Sequence, residues 1–277
     1  MRFVRWGIPG AERPGVLDSK GRIRDLSSIV PDIDGSAINQ LRGLTALEAL
    51  PLVPGTPRLG PCVTNVSKLI CIGLNYADHA REAGVEVPNE PIIFLKAPSA
   101  IAGPNDDLVL PPGSEKVDWE VELCVVIGRH VAYADEEIAR SAIAGYCLIN
   151  DVSERAWQFD RGGQWVKGKS AEGFAPLGPW LVTAESIKNP SNLHLWLEVD
   201  GHRYQDSTTA QMIFKPSLLV SYLSQFMSLL PGDLIATGTP PGVGLGQKPP
   251  VYLRPGQTMR LGISGLGTQT QRVVARK

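Results

Sequence analysis

Residues 117–127 read VDWEVELCVVI, and this stretch is the most informative part of the chain. Its acidic and apolar side chains alternate with the period of a β-strand, because successive side chains of a strand point to opposite faces. Asp118, Glu120 and Glu122 would therefore share one face, opposite an apolar one. The run CVVI at 124–127 contains no polar residue, so we expect the acidic stripe to lead into the hydrophobic core.

Such a stripe is costly, because like charges repel more strongly as they leave water. A divalent cation would remove that cost, and oxygen ligands favour a hard ion such as Mg²⁺, Mn²⁺ or Ca²⁺. A third acid, Asp151, follows another strand-like run, YCLIN at 146–150. The Glu-x-Glu pair alone fits two solvated surface carboxylates better, since charged residues are mostly exposed. The metal hypothesis therefore depends on the rest of the chain.

The bulk properties exclude several classes of protein. The chain of 277 residues can bury a full core, and its net charge of −1 with 43% hydrophobic residues indicates neither nucleic-acid binding nor disorder. No apolar run is long enough to cross a bilayer, residues 1–10 lack a signal-peptide apolar segment, and the four cysteines have no CxxC spacing. We expect a cytoplasmic protein with reduced cysteines that binds neither nucleic acid nor a membrane.

The 29 glycines and 23 prolines predict a loop-rich fold dominated by strands. Residues 1–65 read as a small module of three short strands and a helix over 36–50, and the proline-rich stretch 50–62 marks the expected boundary. Residues 66–277 read as a second domain, with helices at 76–83 and 216–229. The second helix has an apolar face that includes Phe226, and we expect this face to pack in the core. Its strands are predicted at 68–73, 92–96, 117–127, 144–150, 193–199, 233–236, 259–263 and 269–275.

Three further segments hold candidate site residues. On a helix His79 and Glu82 are neighbours, and a carboxylate beside an imidazole raises its basicity, as a water-activating base requires. The glycine-rich loop GGQWVKGKS at 162–170 has two lysines and suits an anion. The turn ATGTPPG at 236–242 allows Thr239 to approach a ligand closely. An exposed His–Glu pair, a solvated loop and a structural turn remain open alternatives.

Six segments, in this order, resemble the motifs of the fumarylacetoacetate hydrolase family. They are GLNYADHARE (73–82), PIIFLKAPSAIAGP (91–104), DWEVELCVVIG (118–128), GYCLINDVSERAWQ (145–158), KGKSAEGFAPLGPWLVT (167–183) and DLIATGTPPGVG (233–244). The resemblance covers about residues 66–277, and the N-terminal module resembles the small lead domain of bacterial members.

The resemblance implies a mixed, β-rich α/β fold. The expected architecture is the family's β-roll catalytic domain over residues 66–277 with a small N-terminal α+β module over residues 1–65. The family usually forms a homodimer, so we expect a homodimer or a higher homo-oligomer. Glu120, Glu122 and Asp151 match the family's metal-ligand positions, which normally hold Mg²⁺, with Mn²⁺ as the alternative.

The resemblance also assigns roles to other side chains. His79 and Glu82 match the pair that activates water, and Lys169 matches the lysine that stabilises a developing oxyanion or enolate. Thr239 matches the turn that holds the substrate carboxylate. Gln164, which lies in the loop just before Lys169, is a further candidate for substrate contact.

Two departures from the family pattern affect substrate contacts. Many members carry Arg where this chain has Leu74, so we expect one substrate contact of the family to be missing here. Where the family often reads KSFDTF, this chain reads KSAEGF at 169–174, and Ala171 and Gly173 would open room at the cleft.

Together these features predict a divalent-metal-dependent hydrolase that acts on a small 2-oxo acid. It would cleave a carbon–carbon bond of an acylpyruvate-like 2,4-diketo acid into pyruvate and a carboxylic acid. The chain resembles bacterial members acting on 2,4-diketo-3-deoxy sugar acids, of the rhamnonate or fuconate type. Three alternatives remain open: an oxaloacetate decarboxylase, an isomerase of an unsaturated 2-oxo diacid, and a catalytically silent metal-bound sugar-acid binder.

Overall fold

A computed structural model describes residues 1–84 and 86–276, apart from the side chains of Ala80 and Ala83. Val85 and Lys277, both inside the predicted second domain, lie outside the described residues. No helix in the described part of the chain combines the length and apolar character that spanning a membrane requires.

Strands contain more residues than helices in the described part of the chain. They are β1 (Arg2–Trp6), β2 (Arg13–Leu17), β3 (Ile23–Asp25), β4 (Leu69–Gly73), β5 (Ile92–Lys96), β6 (Ile101–Ala102), β7 (Leu108–Leu110), β8 (Val117–Asp118), β9 (Val121–Ile127), β10 (Ile143–Asn150), β11 (Ser153–Glu154), β12 (Ala175–Pro176), β13 (Leu181–Thr183), β14 (His194–Val199), β15 (His202–Thr208), β16 (Leu234–Ala236), β17 (Thr258–Ile263) and β18 (Gly267–Ala275). The helices are α1 (Ala37–Leu41), α2 (Ala77–Ala83), α3 (Glu136–Ala142), α4 (Arg155–Phe159), α5 (Val166–Lys169) and α6 (Pro216–Leu223). The predicted mixed, β-rich α/β class is confirmed.

Two sheets organise the molecule. A nine-stranded sheet has the order β3-β2-β1-β13-β10-β9-β16-β4-β5, and a five-stranded sheet has the order β15-β14-β17-β18-β7. The N-terminal strands join the larger sheet through β1 and β13, where Phe3 lies opposite Leu181. Backbone pairing therefore runs across the predicted boundary near residue 65, and the division into two domains stays a prediction.

Strands β9 and β10 form the centre of the core. Every residue of both strands is buried, and they pair antiparallel with Cys124 opposite Cys147. The predicted strand 117–127 is interrupted at Trp119 and Glu120, because Glu120 N binds the side-chain oxygen of Asn150 at 3.1 Å. The interruption puts Glu120 at the end of the sheet, where a side chain can reach a cavity.

Two predicted helices are shorter in the structure. The helix expected over 36–50 is α1 followed by a separate 3₁₀ turn at Leu47–Ala49, since Ala46 between them adopts a left-handed conformation with φ of 54°. The helix expected over 216–229 ends at Leu223, and Phe226, predicted to lie on its buried face, is 64% exposed. The prediction that Phe226 packs in the core was wrong, because the backbone leaves the helix before that residue although the apolar pattern continues.

Candidate active site

The carboxylates of Glu120, Glu122 and Asp151 meet where β9 and β10 come together. One oxygen from each lies within 4.8 Å of the others, and all three side chains are buried. Antiparallel pairing explains the meeting, since Asp151 N donates to the Glu120 carbonyl oxygen at 2.9 Å and so places the two residues opposite each other. Glu122, two residues beyond Glu120, points to the same side.

Basic side chains surround two of the three carboxylates. Lys96 Nζ lies 2.5 Å from one oxygen of Asp151, and Lys169 Nζ lies 2.8 Å from the other and 2.7 Å from Glu120. Arg155 Nη2 lies 2.6 Å from the remaining oxygen of Glu120. Burial alone would raise the pKa of Glu120, but Lys169 and Arg155 outweigh it and lower that pKa to about 2.

The charged groups around Glu122 differ from those around the other two carboxylates. It is 2% exposed and accepts a hydrogen bond of 2.8 Å from Gly238 N, yet no basic side chain among the described residues lies within ion-pair distance of it. Burial, followed by the charges of Asp151 and Glu120, raises the pKa of Glu122 well above its usual range. Glu122 is thus the carboxylate of the group that still needs a cation.

The net charge of the whole cluster also favours a bound cation. With every group ionised, four buried carboxylates among the described residues would face three buried basic groups and leave one negative charge uncompensated: Asp118, Glu120, Glu122 and Asp151 against Lys96, Arg155 and Lys169. Three convergent carboxylates with excess negative charge are the donor set that a hard divalent cation prefers. The residues present therefore fit a metal of this class.

Helix α2 carries a second constellation. His79 Nδ1 lies 3.0 Å from Glu82 Oε2, as expected for i and i+3 positions, which leaves Nε2 of the ring clear of that contact. Glu82 also accepts hydrogen bonds from Gly242 N, at 3.0 Å to one oxygen and 3.2 Å to the other. A further bond of 2.6 Å, from Ser207 Oγ to Asp78, holds α2 against β15.

One cavity of about 470 Å³ is lined by both constellations. His79 and Glu82 line it together with Glu120, Glu122 and Lys169. Lys169 is 2% exposed, and the carboxylates beside it raise its pKa even though burial opposes that change. The geometry therefore brings an imidazole–carboxylate pair, an ammonium group and a metal-type carboxylate cluster to one space.

Phe94, Phe159 and Trp165 form an aromatic wall on that cavity. The ring centroids of Phe94 and Phe159 lie 5.3 and 5.9 Å from that of Trp165, both edge to face. Leu74, which stands where the family often has Arg, also lines the cavity.

Two of the predicted substrate contacts, Thr239 and Gln164, are less available to a ligand than the sequence suggests. Thr239 lines the cavity, but its hydroxyl donates to the Val121 carbonyl at 2.9 Å and accepts from Gln205 at 2.8 Å. Its single proton is used, so the side chain has only a lone pair left for a ligand. Gln164 is exposed and is not among the residues that line the cavity.

Sequence reasoning overlooked Arg155 and Gln158. Both are buried cavity-lining side chains, and Arg155 Nη1 donates to Gln158 Oε1 at 3.0 Å. Their i and i+3 spacing at the start of α4, four and seven residues after Asp151, was the available signal. Lys96, which belongs to the motif at 91–104 and received no role from the sequence, lies in the ion pair with Asp151.

Comparison with known proteins agrees with this arrangement. Residues 68–274 match the family model described as fumarylacetoacetate hydrolase, C-terminal. A curated protein from Burkholderia ambifaria, named no more specifically than as a hydrolase, is 58% identical over 98% of both chains.

Two solved structures cover the whole of this chain and are covered wholly by it. The fumarylacetoacetate hydrolase from Exiguobacterium antarcticum is 33% identical with a TM-score of 0.90. The maleylpyruvate hydrolase from Sphingobium sp. SYK-6, solved in complex with manganese(II) and pyruvate, is 28% identical with a TM-score of 0.83. The resemblance read from the six motifs is confirmed, and the chain belongs to the fumarylacetoacetate hydrolase family.

Proposed function

We propose that the protein is a divalent-metal-dependent hydrolase that cleaves a carbon–carbon bond of a 2,4-diketo acid, releasing pyruvate and a carboxylic acid. The observation that carries the proposal is that His79, Glu82 and Lys169 line one cavity with Glu120 and Glu122, the two glutamates of the cluster that Asp151 completes. Bond cleavage by water needs both a base and a site for the 2-oxo acid, and this cavity supplies the side chains for both.

Glu120, Glu122 and Asp151 would hold the cation, with Mg²⁺ as the proposed ion and Mn²⁺ as the alternative. A divalent cation bound there would polarise the 2-oxo group of the substrate as a Lewis acid. The manganese and pyruvate in the related maleylpyruvate hydrolase support this assignment. Glu122, which has no basic partner among the described residues, leaves a carboxylate oxygen available for such a cation.

His79 would act as the general base. Glu82, 3.0 Å from Nδ1, holds the ring and stabilises its protonated form, so Nε2 can take a proton from water. The hydroxide equivalent adds to the C4 carbonyl, the C3–C4 bond breaks, and C3 takes up a proton to complete the methyl group of pyruvate. The water thus supplies the new carboxyl oxygen and one of its protons ends on carbon.

Lys169 would stabilise the negative charge that develops during cleavage. Its ammonium group has three protons, of which two point to Glu120 and Asp151, and the third remains for an oxygen of the substrate. The ammonium also lies 4.9 Å from the centre of the Phe94 ring, which fixes its position in the cavity.

The alternative functions differ in whether they require His79 and in what role. Decarboxylation of oxaloacetate needs the 2-oxo acid site but no water-activating base, and isomerisation of an unsaturated 2-oxo diacid needs a proton shuttle without bond cleavage. A sugar-acid binder would need neither His79 nor Lys169. The hydrogen-bonded His79–Glu82 pair on the cavity wall favours the hydrolase over the decarboxylase and the binder, whereas the isomerase is distinguished by its product.

The first experiment is an assay of pyruvate release from a 2,4-diketo-3-deoxy sugar acid and from a simple acylpyruvate, with oxaloacetate in parallel. Each is run with Mg²⁺ and with excess chelator. Chelator-sensitive pyruvate with an equal amount of carboxylic acid is the expected result. Pyruvate from oxaloacetate alone would replace the proposal with a decarboxylase, and absence of product from all substrates would favour the isomerase or the binder.

The proposal includes a cytoplasmic homodimer or higher homo-oligomer, as the family resemblance predicts. Light scattering coupled to size-exclusion chromatography tests the assembly, and a mass equal to the 29.9 kDa chain would contradict it.

A further inference from the structure

The cavity contains one positive charge that no carboxylate among the described residues offsets. Of these residues, three lysine or arginine side chains line the cavity: Arg155, Lys169 and Lys248. Arg155 and Lys169 are buried and form ion pairs of 2.6 to 2.8 Å with the acidic cluster. Lys248 is exposed to solvent and has no ion-pair partner within residues 1–84 and 86–276.

The backbone that carries Lys248 is held in place. Gln247 N and Val251 N both donate to the Gly244 carbonyl oxygen, at 3.2 and 2.9 Å, which closes the loop on either side of Lys248. Gly244 N in turn donates to Asp118 at 2.6 Å. Asp118 also pairs with Arg155, which binds the carboxylate cluster. The backbone at Lys248 is therefore fixed in position relative to that cluster.

The cavity wall contributed by Phe94, Phe159 and Trp165 is aromatic, and Leu74 and Leu245 add further apolar surface. The side chains of Phe94 and Phe159 offer no hydrogen-bond donor or acceptor. A chain of hydroxyl-bearing carbons lying against them would lose hydrogen bonds to water without replacement. A flat or apolar carbon segment would lose nothing.

We propose that Lys248 is a specificity-determining residue that pairs with a second carboxylate at the end of the substrate remote from the 2-oxo acid. The proposal rests on the proposed function, because the 2-oxo acid end is taken to lie at Glu120, Glu122 and Asp151. The preferred substrate class is then a 2-oxo diacid with an apolar segment between its two charged ends. A sugar acid, which carries hydroxyl groups there and no second charge, fits the cavity less well.

Two substrates of equal chain length test this directly: 2,4-dioxoheptanedioate, with a carboxylate at C7, and 2,4-dioxoheptanoate, with a methyl group there. The Mg²⁺-loaded wild type is compared with Lys248→Gln, with Lys248→Arg, and with Lys188→Gln as a control at an exposed lysine that does not line the cavity. A hydroxylated 2,4-diketo-3-deoxy sugar acid is assayed in parallel.

The wild type is expected to have a kcat/KM about 10-fold higher for the diacid than for the monoacid, which is the usual effect of one hydrogen bond to a charged group. The Lys248→Gln variant should lose that preference through a higher KM for the diacid, while its kinetics with the monoacid stay near those of the wild type. Lys248→Arg should retain the preference, and Lys188→Gln should not change it.

An unchanged preference in Lys248→Gln would overturn the proposal, and so would faster turnover of the sugar acid than of the diacid. If no substrate releases pyruvate, the proposed hydrolase is refuted instead. Calorimetric titration of the same Mg²⁺-loaded variants with the two acids then decides the role of Lys248 by itself. Tighter binding of the diacid that disappears in Lys248→Gln supports the proposal, and equal binding of both acids contradicts it.

Discussion

Glu82 accepts hydrogen bonds from the backbone nitrogen of Gly242 on both of its carboxylate oxygens, at 3.0 and 3.2 Å. The same carboxylate lies 3.0 Å from His79 Nδ1. The imidazole–carboxylate pair therefore depends on a contact between α2 and a loop that is remote in the chain. Changes in that loop should act on His79 without touching it.

Gly246 provides a test, since a Cβ atom there would lie 3.1 Å from the carboxylate carbon of Glu82. We expect Gly246→Ala to displace Glu82 by a few tenths of an ångström and to lower kcat/KM several-fold, with the melting temperature close to that of the wild type. Gly43→Ala, where a Cβ would meet nothing within 4 Å, is the control. Equal activity of the two variants would show that the position of Glu82 does not matter.

His79→Ala should lower hydrolysis of a 2,4-diketo acid by about 10²- to 10⁴-fold, the usual contribution of a positioned general base. Decarboxylation of oxaloacetate should be largely spared, because that reaction needs no attacking water. Arg81→Ala, which changes an exposed side chain on the same helix, controls for effects on α2. Undiminished hydrolysis by His79→Ala would remove His79 from the mechanism.

Glu122→Gln should abolish metal binding while leaving the metal-free fold at least as stable. The reason is that Glu122 is a buried carboxylate without a basic partner among the described residues, so an amide of the same shape relieves charge. Thermal unfolding with and without Mg²⁺ measures both effects, since a ligand that binds only the native state raises the melting temperature. Glu115→Gln, at an exposed carboxylate, should keep the Mg²⁺-dependent rise. The same rise in Glu122→Gln would argue against a metal at this cluster.

Asp118 is fully buried and accepts from Arg155 Nε at 2.8 Å, from Gly244 N at 2.6 Å and from Leu245 N at 2.9 Å. Asp118→Asn removes one partner of a buried ion pair and turns an amide donor toward other donors, which should cost about 3 kcal/mol of unfolding free energy. Urea unfolding of the metal-free protein gives the value.

Asp107→Asn is the matched comparison for that variant. Asp107 and Arg272 form an ion pair of 2.7 Å in which the side chains are 42% and 67% exposed. Because water screens such pairs, this substitution should cost less than about 1 kcal/mol. Similar losses in the two variants would mean that burial does not set the strength of the Asp118 contacts.

Local patterns in the sequence were sufficient for much of the site. Alternation over residues 117–127 placed Glu120 and Glu122 on one face, and helical spacing placed His79 next to Glu82, because both relationships involve residues within a few positions of each other. The same reasoning extended the helix at Pro216 beyond Leu223, since apolar residues continue to recur where the backbone has already left the helix.

The sequence alone was sufficient to predict the central strands, the faces of those strands and the chemistry available on them. The pairing of distant segments was needed to learn that Asp151 lies opposite Glu120, that Lys96 binds one oxygen of Asp151, and that Gln158 rather than Gln164 lines the cavity. Strand register and loop docking depend on the packing of residues far apart in the chain, and a local period carries no information about such pairs.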